Sequence, residues 1–311
     1  MTLHYGYDNL KFKNPAVTVG TFDGVHRGHR YVIEMLKKRA SETGGESVVV
    51  TFEPHPKMVV DSSGHGVFRL TGKDEKIQLM EKENIDHLVL INFDRDLSRM
   101  DAGSFIGNIL AGKIGTRHLL VGFNNHFGRM PGGSFGDLKK IAGRYGITSE
   151  ILEPVMSEAL VISSSSIRDA LLRGRLAEAN NLLGYSYFMN GTIVGGRQIG
   201  RRLGFPTANI RPDYPEKLIP KDGVYAVETI LRGSKFMGVM SIGFNPTISR
   251  KTEIRTIEVN IFDFEGDAYG EKICVIFRYR LRDEVVFETQ EQLADQIARD
   301  RKEALRLLNN Q

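Results

Sequence analysis

The sequence has few features of a secreted or membrane-inserted protein. Its 311 residues include a single cysteine, Cys274, which excludes an intramolecular disulfide and a cysteine-based zinc cluster and favours a reducing compartment. Residues 1–10 lack the basic and then apolar pattern of a signal peptide, and no segment approaches the roughly 18 consecutive apolar residues of a membrane span. We therefore expect a cytoplasmic protein that does not bind membranes.

An excess of charge of either sign is also lacking. The formal net charge is +4, a mild excess that favours phosphorylated ligands but is only a weak indication of nucleic-acid binding, so we expect no nucleic-acid partner. Hydrophobic residues make up 41% and charged residues 26% of the chain, which is typical of folded proteins and excludes wholesale disorder. The length predicts about two domains of roughly 150 residues each, and no internal repeat is present.

The first half of the chain alternates short apolar runs with longer amphipathic segments, a pattern typical of a βαβ domain. The predicted strands are Ala16–Gly20, Ser47–Phe52, His87–Ile91, Leu119–Gly122 and Ile147–Leu152. The predicted helices are Tyr31–Ala40, Lys73–Lys82, Ala102–Ala111, Phe135–Arg144, Ser166–Arg173 and Ala177–Leu183. Several strands are apolar at consecutive positions, which predicts an α/β fold with a doubly wound parallel sheet buried on both faces.

The second half has short strands at regular intervals with glycine and proline between them, which predicts a small antiparallel barrel. The predicted strands are Met189–Val194, Thr207–Ile210, Val224–Leu231, Phe236–Ile242, Glu253–Ile261 and Lys272–Leu281. The final segment, Gln290–Leu308, carries an apolar stripe of Leu293, Ile297, Ala304 and Leu308 that predicts a helix covering the barrel. We expect two domains, at residues 1–184 and 185–311.

The most informative segment of the first half is Val19–His29, which runs from a buried strand into a helix. Its glycines, Gly20, Gly24 and Gly28, allow the backbone to approach a ligand closely. His26 and His29 share a face if the helix begins near His26, at the helix end that favours an anion. The alternatives are a solvated helix start or half of a metal site, although no third ligand is evident nearby.

Two further segments are expected at the same edge of the sheet, beyond the carboxyl ends of the strands. Val121–Arg129 offers amide, imidazole and guanidinium groups, including Asn124, on a glycine-flanked loop. Ile162–Arg168 precedes a short helix and contains the serines Ser163, Ser164 and Ser165, followed by Arg168. These hydroxyls either cap the helix or, with the arginine, bind a triphosphate.

The second half contains a glycine-rich basic loop before a strand with a polar face. The loop includes Gly195, Gly196, Gly200 and Gly204 among Arg197, Arg201 and Arg202. Thr207 and Asn209 lie two residues apart on a predicted strand and so point to one face, and Glu258 and Asn260 repeat this arrangement. A mobile solvated loop and an ordinary half-exposed strand are the alternatives, and no GxxxxGK[ST] motif is present.

The first set of residues resembles a known family. Gly20–His29 is similar to the GxFDGxHxGH signature of nucleotidylyltransferases, and Ile162–Arg168 is similar to their ISSTxIR signature. With Thr51–Pro56, the resemblance narrows to the prokaryotic bifunctional riboflavin kinase/FAD synthetases. It implies that His26 and His29 contact the ATP phosphates. It implies a nucleotide site completed by Gly20, Phe22, Asp23, Gly24, Gly28, Asn124, Ser163, Ser164, Ser165 and Arg168.

Departures and flavin contacts follow from the same resemblance. Ser165 stands where the family usually has threonine, which keeps the hydroxyl, whereas Asn125 and His126 depart from the common wording of their loop. The candidate flavin contacts are Phe52, Pro54, Pro56 and, in the second half, Tyr225.

The second half resembles the riboflavin kinase module of that family. Its PTAN motif is Pro206–Asn209, followed by Asp222–Tyr225 and Gly243–Thr247. The resemblance implies that Thr207 and Asn209 hold magnesium or another divalent cation together with the ATP phosphates, and that Glu258 is the catalytic base. It implies closure over the nucleotide by a loop containing Gly195, Gly200, Arg202 and Gly204. Asn260 replaces the histidine that is common two residues after the glutamate.

Together these features predict a bifunctional enzyme that phosphorylates riboflavin to FMN and then adenylylates FMN to FAD, with ATP as co-substrate and release of pyrophosphate in the second step. One alternative is an enzyme with a single activity and a degenerate first domain. Another is a flavin-binding or nucleic-acid-binding regulator that uses the basic loop Arg197–Arg202, although the loop lacks the stacking aromatics of single-strand binders. The sequence does not predict an oligomeric state.

Overall fold

A computed structural model describes residues 1–60, 68–122, 135–157, 160–196, 205–244 and 255–310. The chain divides into two compact units, Met1–Ser164 and Ser165–Gln311. Within the described ranges, no helix combines the length and apolarity needed to span a bilayer.

The first unit is built on a six-stranded parallel sheet with the strand order β1-β4-β3-β2-β5-β6. Its strands are β1 (Thr2–Tyr5), β2 (Ala16–Val19), β3 (Ser47–Glu53), β4 (His87–Asn92), β5 (His118–Gly122) and β6 (Thr148–Leu152). A separate two-stranded ribbon consists of β7 (Met156–Ser157) and β8 (Leu160–Val161). The parallel sheet confirms the predicted fold class, and β1 is an edge strand that the sequence pattern did not reveal.

The helices of this unit are α1 (Arg27–Glu42), α2 (Pro56–Val60), α3 (Lys73–Glu81), α4 (Arg95–Arg99), α5 (Ala102–Ser104) and α6 (Phe135–Arg144). The central strands are buried on both faces, as consecutive apolar residues predict: all four residues of β2 are buried. The helix α1 buries Val32, Ile33, Leu36 and Ala40 along one side, the spacing of an amphipathic helix.

The prediction of an ordinary helix at Ala102–Ala111 was wrong in type and length. After α5 the chain continues as a π-helix, Phe105–Ile114, and ends at Gly115 with a φ of +72°. The buried residues Phe105, Ile109 and Ile114 recur at steps of four and five, which matches the wider turns of a π-helix. Gly107 packs directly against the hydroxyl of Tyr145, where a Cβ would approach the oxygen to 2.4 Å.

The strand order reverses beside β2. The chain moves from β2 through β3 to β4 in one direction and later returns to place β5 on the other side of β2. In open α/β sheets, ligands bind at such a reversal, beyond the carboxyl ends of the strands. The fold therefore directs attention to the residues that follow β2, which include the two histidines.

The second unit contains most of α7 (Ser164–Leu172), all of α8 (Leu176–Leu183), a closed six-stranded barrel and a C-terminal helix α9 (Gln290–Asn309). The barrel strands are antiparallel and follow the order β10-β13-β12-β11-β14-β9. They are β9 (Phe188–Val194), β10 (Ala208–Pro212), β11 (Gly223–Leu231), β12 (Ser234–Phe244), β13 (Arg255–Ile261) and β14 (Lys272–Arg282). This arrangement confirms the predicted barrel.

The helix α9 covers one side of the barrel. Its Ala304 and Leu308 are buried in a cluster with Ala226 and Phe262, which confirms the C-terminal end of the predicted stripe. One turn earlier, Asp300 accepts a hydrogen bond of 2.7 Å from Arg282 Nη2 at the end of β14. The helix is thus fixed to the barrel by apolar packing and by an ion pair.

Candidate active sites

The chain makes a tight turn directly after β2. Phe22, Gly24 and Val25 have positive φ angles of 48°, 86° and 36°, a conformation that side chains other than glycine adopt only when the surroundings enforce it. The carboxylate of Asp23 accepts hydrogen bonds from the backbone N–H groups of Leu70, at 3.1 Å, and Thr71, at 3.0 Å. Asp23 is therefore buried inside the turn and braces it.

The turn leads directly to the two histidines. His26 is the N-cap of α1, and its Nδ1 accepts a hydrogen bond of 3.3 Å from the backbone N–H of His29. The two imidazole rings stack with centroids 3.6 Å apart, so the histidines share a face as predicted. Because Nδ1 accepts, a neutral His26 carries its proton on Nε2.

Gly28 has a steric role in this arrangement. A Cβ at this position would approach the Cε1 and Nδ1 atoms of His26 to 3.2 Å and the carbonyl oxygen of Ile162 to 3.4 Å. Any larger residue would press against the capping imidazole. Gly28 therefore allows the stacked histidine pair to form.

His29 is held in a desolvated position at the start of α1. Its Nδ1 is buried and has no hydrogen-bond partner in the part of the chain that the structure describes. The ring of Phe22, itself buried, lies 5.0 Å from that of His29. Burial, followed by the like charges of His26 and Lys76, holds the pKa of His29 well below 6.5. The protein without ligand therefore presents His29 as a neutral imidazole near pH 7.

The serine motif meets the same turn. Ser164, the first residue of α7, donates a hydrogen bond of 2.9 Å from Oγ to the carbonyl oxygen of Asp23. Ser163 is half-buried and Ser165 is exposed. Arg168 lies half-buried in α7, within the second compact unit. The structure thus brings Ser164 to the histidine turn, whereas nucleotide contacts by the other residues of the motif stay predictions.

Sequence reasoning missed a buried charged cluster beneath this turn. Lys76, on α3, is 2% exposed, and its Nζ donates to the carbonyl oxygens of Phe52, at 3.0 Å, and Thr21, at 3.3 Å. Arg69 is 1% exposed and forms two hydrogen bonds, of 2.7 and 2.6 Å, with the carboxylate of Glu53. On an amphipathic helix a lysine is usually a solvated residue, so no sequence signal distinguished Lys76.

The predicted flavin contacts of the first unit lie at the end of β3. Phe52, Pro54 and Pro56 are all half-buried, so each keeps surface that a ligand can reach. The ring of Phe52 also packs against Phe93, with centroids 5.4 Å apart. The loop residues Asn124, Asn125 and His126 lie outside the described residues.

The barrel brings its predicted polar residues together across neighbouring strands. Asn209 on β10 pairs directly with Glu258 on β13, and the hydroxyl of Thr207 donates a hydrogen bond of 3.2 Å to Glu258 Oε2. The strand itself begins at Ala208, one residue later than predicted, so Thr207 precedes the ladder. The neighbouring Pro206 has no N–H group to extend the ladder. The shared face of Thr207, Asn209 and Glu258 nevertheless forms.

The start of the glycine-rich loop lies beside Asn209. A Cβ on Gly196 would come within 1.9 Å of Asn209 Nδ2, so only glycine fits there without displacement of the amide. Around Gly195, by contrast, nothing lies within 4 Å of the Cβ position. Gly200, Arg202 and Gly204 lie outside the described residues.

Asn260 fixes the segment that carries Thr207. Its side chain is 6% exposed, and Nδ2 donates a hydrogen bond of 2.7 Å to the carbonyl oxygen of Pro206. Its Oδ1 is buried without a hydrogen-bond partner among the described residues. The departure from histidine at this position therefore places a hydrogen-bond donor behind the candidate kinase site.

A second carboxylate lies near Glu258. Ser241 on β12 pairs with Glu258, and Ser241 Oγ lies 3.5 Å from Glu284 Oε1. Glu284 also occupies the space that a Cβ of Gly243 would need, since the two would be 1.7 Å apart. The sequence pattern had not singled out Glu284, which follows the last barrel strand.

Tyr225 is placed differently from the other candidate flavin contacts. Its side chain is fully buried in the barrel, packs edge-on against Phe277, and donates a hydrogen bond to the carbonyl oxygen of Lys221. Its ring therefore stabilises the barrel core. An aromatic residue in a motif carries no information about whether its ring is exposed.

Comparison with known proteins identifies both units. The family model described as FAD synthetase matches residues 9–166, and the model described as riboflavin kinase matches residues 183–308. Bifunctional riboflavin kinase/FMN adenylyltransferases are 37% identical in Listeria monocytogenes, over 93% of this chain and 91% of that protein, and 34% identical in Bacillus subtilis, over 95% and 93%.

A solved structure extends the likeness to the whole fold. The crystal structure titled macrolide-efflux protein from Streptococcus pneumoniae has a TM-score of 0.86, is 30% identical, and matches over 97% of this chain and 98% of that one. Its title names an activity of that protein, and the likeness adds the shared architecture. Two family models in the expected order and relatives that match over nearly their full length lead to one conclusion: the chain belongs to the bifunctional riboflavin kinase/FMN adenylyltransferase family.

Proposed function

We propose that this chain phosphorylates riboflavin to FMN and then transfers the adenylyl group of ATP to FMN, which yields FAD and pyrophosphate. The observation that carries this proposal is that one chain contains both folds, each with its motif residues assembled. The stacked histidines stand at the sheet reversal, and Thr207, Asn209 and Glu258 share a barrel face. Relatives with both activities in their names match over both units.

The histidine turn supports adenylyl transfer. In this step an oxygen of the FMN phosphate forms a bond to the α-phosphorus of ATP as the bond to the α,β-bridging oxygen breaks, and pyrophosphate leaves with the electron pair. A phosphate is already a nucleophile, so the reaction needs alignment and stabilisation of charge. His29, neutral before ligand binds, serves as a hydrogen-bond donor to the phosphates, and His26 donates from Nε2. We assign Arg168 and the serine hydroxyls to the same nucleotide.

The barrel face supports phosphoryl transfer. Glu258 takes the proton of the terminal ribityl hydroxyl as that oxygen attacks the γ-phosphorus, and the bond to the β,γ-bridging oxygen breaks to release ADP. The hydroxyl of Thr207 orients the carboxylate by its hydrogen bond. Gly196, packed against Asn209, begins the loop that we assign to the nucleotide phosphates.

The donor set of the barrel face suits a divalent cation. The described residues contain no group of three or more histidine, cysteine, aspartate or glutamate side chains arranged for a metal. Magnesium, however, takes few protein ligands and prefers oxygen, which Thr207 and Asn209 supply beside Glu258. When bound, the cation would neutralise charge on the phosphates. We assign Thr207 and Asn209 as its ligands.

Two other features of the proposal concern the whole chain. We place the division between the two activities near residue 185, within or after the stretch that separates the two family models at residues 166 and 183. A cytoplasmic location stays a prediction from the single cysteine.

The test is a time course with purified protein, riboflavin, ATP and magnesium, with flavins separated by chromatography. We expect FMN to appear first and FAD to follow, and we expect FAD directly when FMN replaces riboflavin. FMN without FAD would support the alternative of a single kinase activity. Neither product from folded protein would contradict the proposal.

A further inference from the structure

Lys76 lies where the two halves of the adenylyltransferase site meet. Its Nζ donates to the carbonyl oxygen of Thr21, the residue before the histidine turn, at 3.3 Å. It also donates to the carbonyl oxygen of Phe52, at 3.0 Å, and to Thr51 Oγ1, at 3.4 Å. One ammonium group thus joins the end of β2, which leads to the candidate ATP ligands, to the end of β3, which carries candidate flavin contacts.

The chemistry of the ammonium matches this position. A protonated lysine has three N–H donors, and three oxygens surround Nζ. The neutral amine has only two donors and turns a lone pair toward one of these oxygens. A second hydrogen bond, of 3.1 Å from Thr51 Oγ1 to the carbonyl oxygen of Thr21, closes the network between the strands. The connection is complete only in the charged state.

The neighbouring charges leave Lys76 weakly neutralised. Glu53 is engaged by Arg69 through two short hydrogen bonds and lies 3.9 Å from Lys76 Nζ. Asp23 is occupied by backbone N–H groups of the turn that it braces. Burial, opposed by Glu53 and Asp23 and assisted by Arg69, lowers the pKa of Lys76 to about 8. The positive charge also contributes to the low pKa of His29.

We propose that Lys76 is a positioning residue for adenylyl transfer, whose charged amine fixes the histidine turn relative to the flavin-side end of β3. The attacking phosphate and the α-phosphorus approach from these two sides, so their alignment depends on the distance between the strand ends. This inference rests on the proposed adenylyltransferase function. Misalignment by about 1 Å can cost roughly 100-fold in rate, so the effect is expected in kcat.

The pH profile of the wild-type full-length protein is the first test. FAD formation from FMN at saturating ATP should lose kcat through an alkaline limb with an apparent pKa of about 8, the value of Lys76. Riboflavin phosphorylation by the same protein should lack this limb. Lys76→Arg, whose guanidinium stays charged, should shift or remove the limb.

The second test compares Lys76→Met with Lys82→Met, which replaces an exposed lysine at the end of the same helix. Lys76→Met should lower kcat for FAD formation by about tenfold or more, with smaller changes in KM, and should leave FMN formation within about twofold of the wild type. Lys82→Met should leave both reactions unchanged. Thermal unfolding reports whether each variant is folded.

The outcomes separate the inference from the function on which it rests. If the wild type forms no FAD from FMN, the proposed function fails. If it forms FAD with a flat profile across the alkaline range, the positioning role of Lys76 is wrong while the function stands. A folded Lys76→Met protein with wild-type kcat would overturn the inference in the same way.

Discussion

The hydroxyl of Thr207 donates a hydrogen bond of 3.2 Å to Glu258 Oε2, across from the backbone pairing of Asn209 with Glu258. A hydroxyl that donates its proton keeps two lone pairs. Thr207 can therefore orient the carboxylate and still offer its oxygen to a cation. This relationship connects the residue that we assign to the metal with the residue that we assign as the base.

Thr207→Val removes that hydroxyl with little change of volume. We expect kcat for FMN formation to fall by about tenfold to 100-fold, because hydrogen bonds to charged groups contribute roughly 1.5–3 kcal/mol, and we expect more magnesium to be needed for half-maximal rate. Thr207→Ser, which keeps the hydroxyl, is the matched control. A magnesium titration of FMN formation measures both effects, and an unchanged titration curve for the valine variant would count against the assignment.

Asn260→Leu tests the contact behind the kinase site. Loss of the hydrogen bond to the carbonyl oxygen of Pro206 should loosen the segment that carries Thr207 and lower the rate of FMN formation several-fold. Asn260→His restores an N–H donor of the kind common in the family and should recover part of that loss. Steady-state kinetics with riboflavin and ATP measure this, and a leucine variant with wild-type kinetics would show that the contact is not needed.

The low pKa of His29 predicts how stability depends on pH. Its folded-state pKa lies below the ordinary value of 6.5, so the fold prefers the neutral ring. Stability is complete above about pH 6.5 and falls as the pH decreases below it, because the unfolded chain binds a proton that the folded chain excludes.

His29→Gln removes this group and should reduce the loss of stability between about pH 7.5 and pH 5.5. Thermal unfolding of both proteins at the two pH values measures the difference. His118→Gln is a suitable control, since His118 is also a histidine of the parallel sheet but its pKa is lowered less strongly. Equal acid sensitivity in the wild type and the His29 variant would show that His29 is not desolvated.

Much of the fold was predictable because burial leaves a pattern in the sequence. The strand β3 is apolar from Val48 to Val50 and is buried on both faces, which only a parallel sheet explains easily. The π-helix was not predictable, because the difference between steps of 3.6 and about 4.4 residues is small over one short segment such as Phe105–Ile114.

The site was predictable where chemistry is written in motifs and unpredictable where it depends on packing. His26 and His29 could be found from spacing, but the stacking of their rings and the desolvation of His29 depend on Phe22 and on residues distant in sequence. Lys76 looks like any helix-surface lysine, and Tyr225 looks like a ligand contact until its burial is seen. Residue identity specifies which groups are available, whereas tertiary packing decides which of them face a ligand.

The most direct test of two separate sites in one chain uses His29→Ala and Glu258→Gln, each assayed for both reactions and then mixed. We predict that His29→Ala forms FMN but no FAD, and that Glu258→Gln forms FAD from FMN but loses about 100-fold or more in FMN formation. Mixed together with riboflavin, ATP and magnesium, the two should again produce FAD. Loss of both reactions through either single substitution in a folded protein would contradict the account.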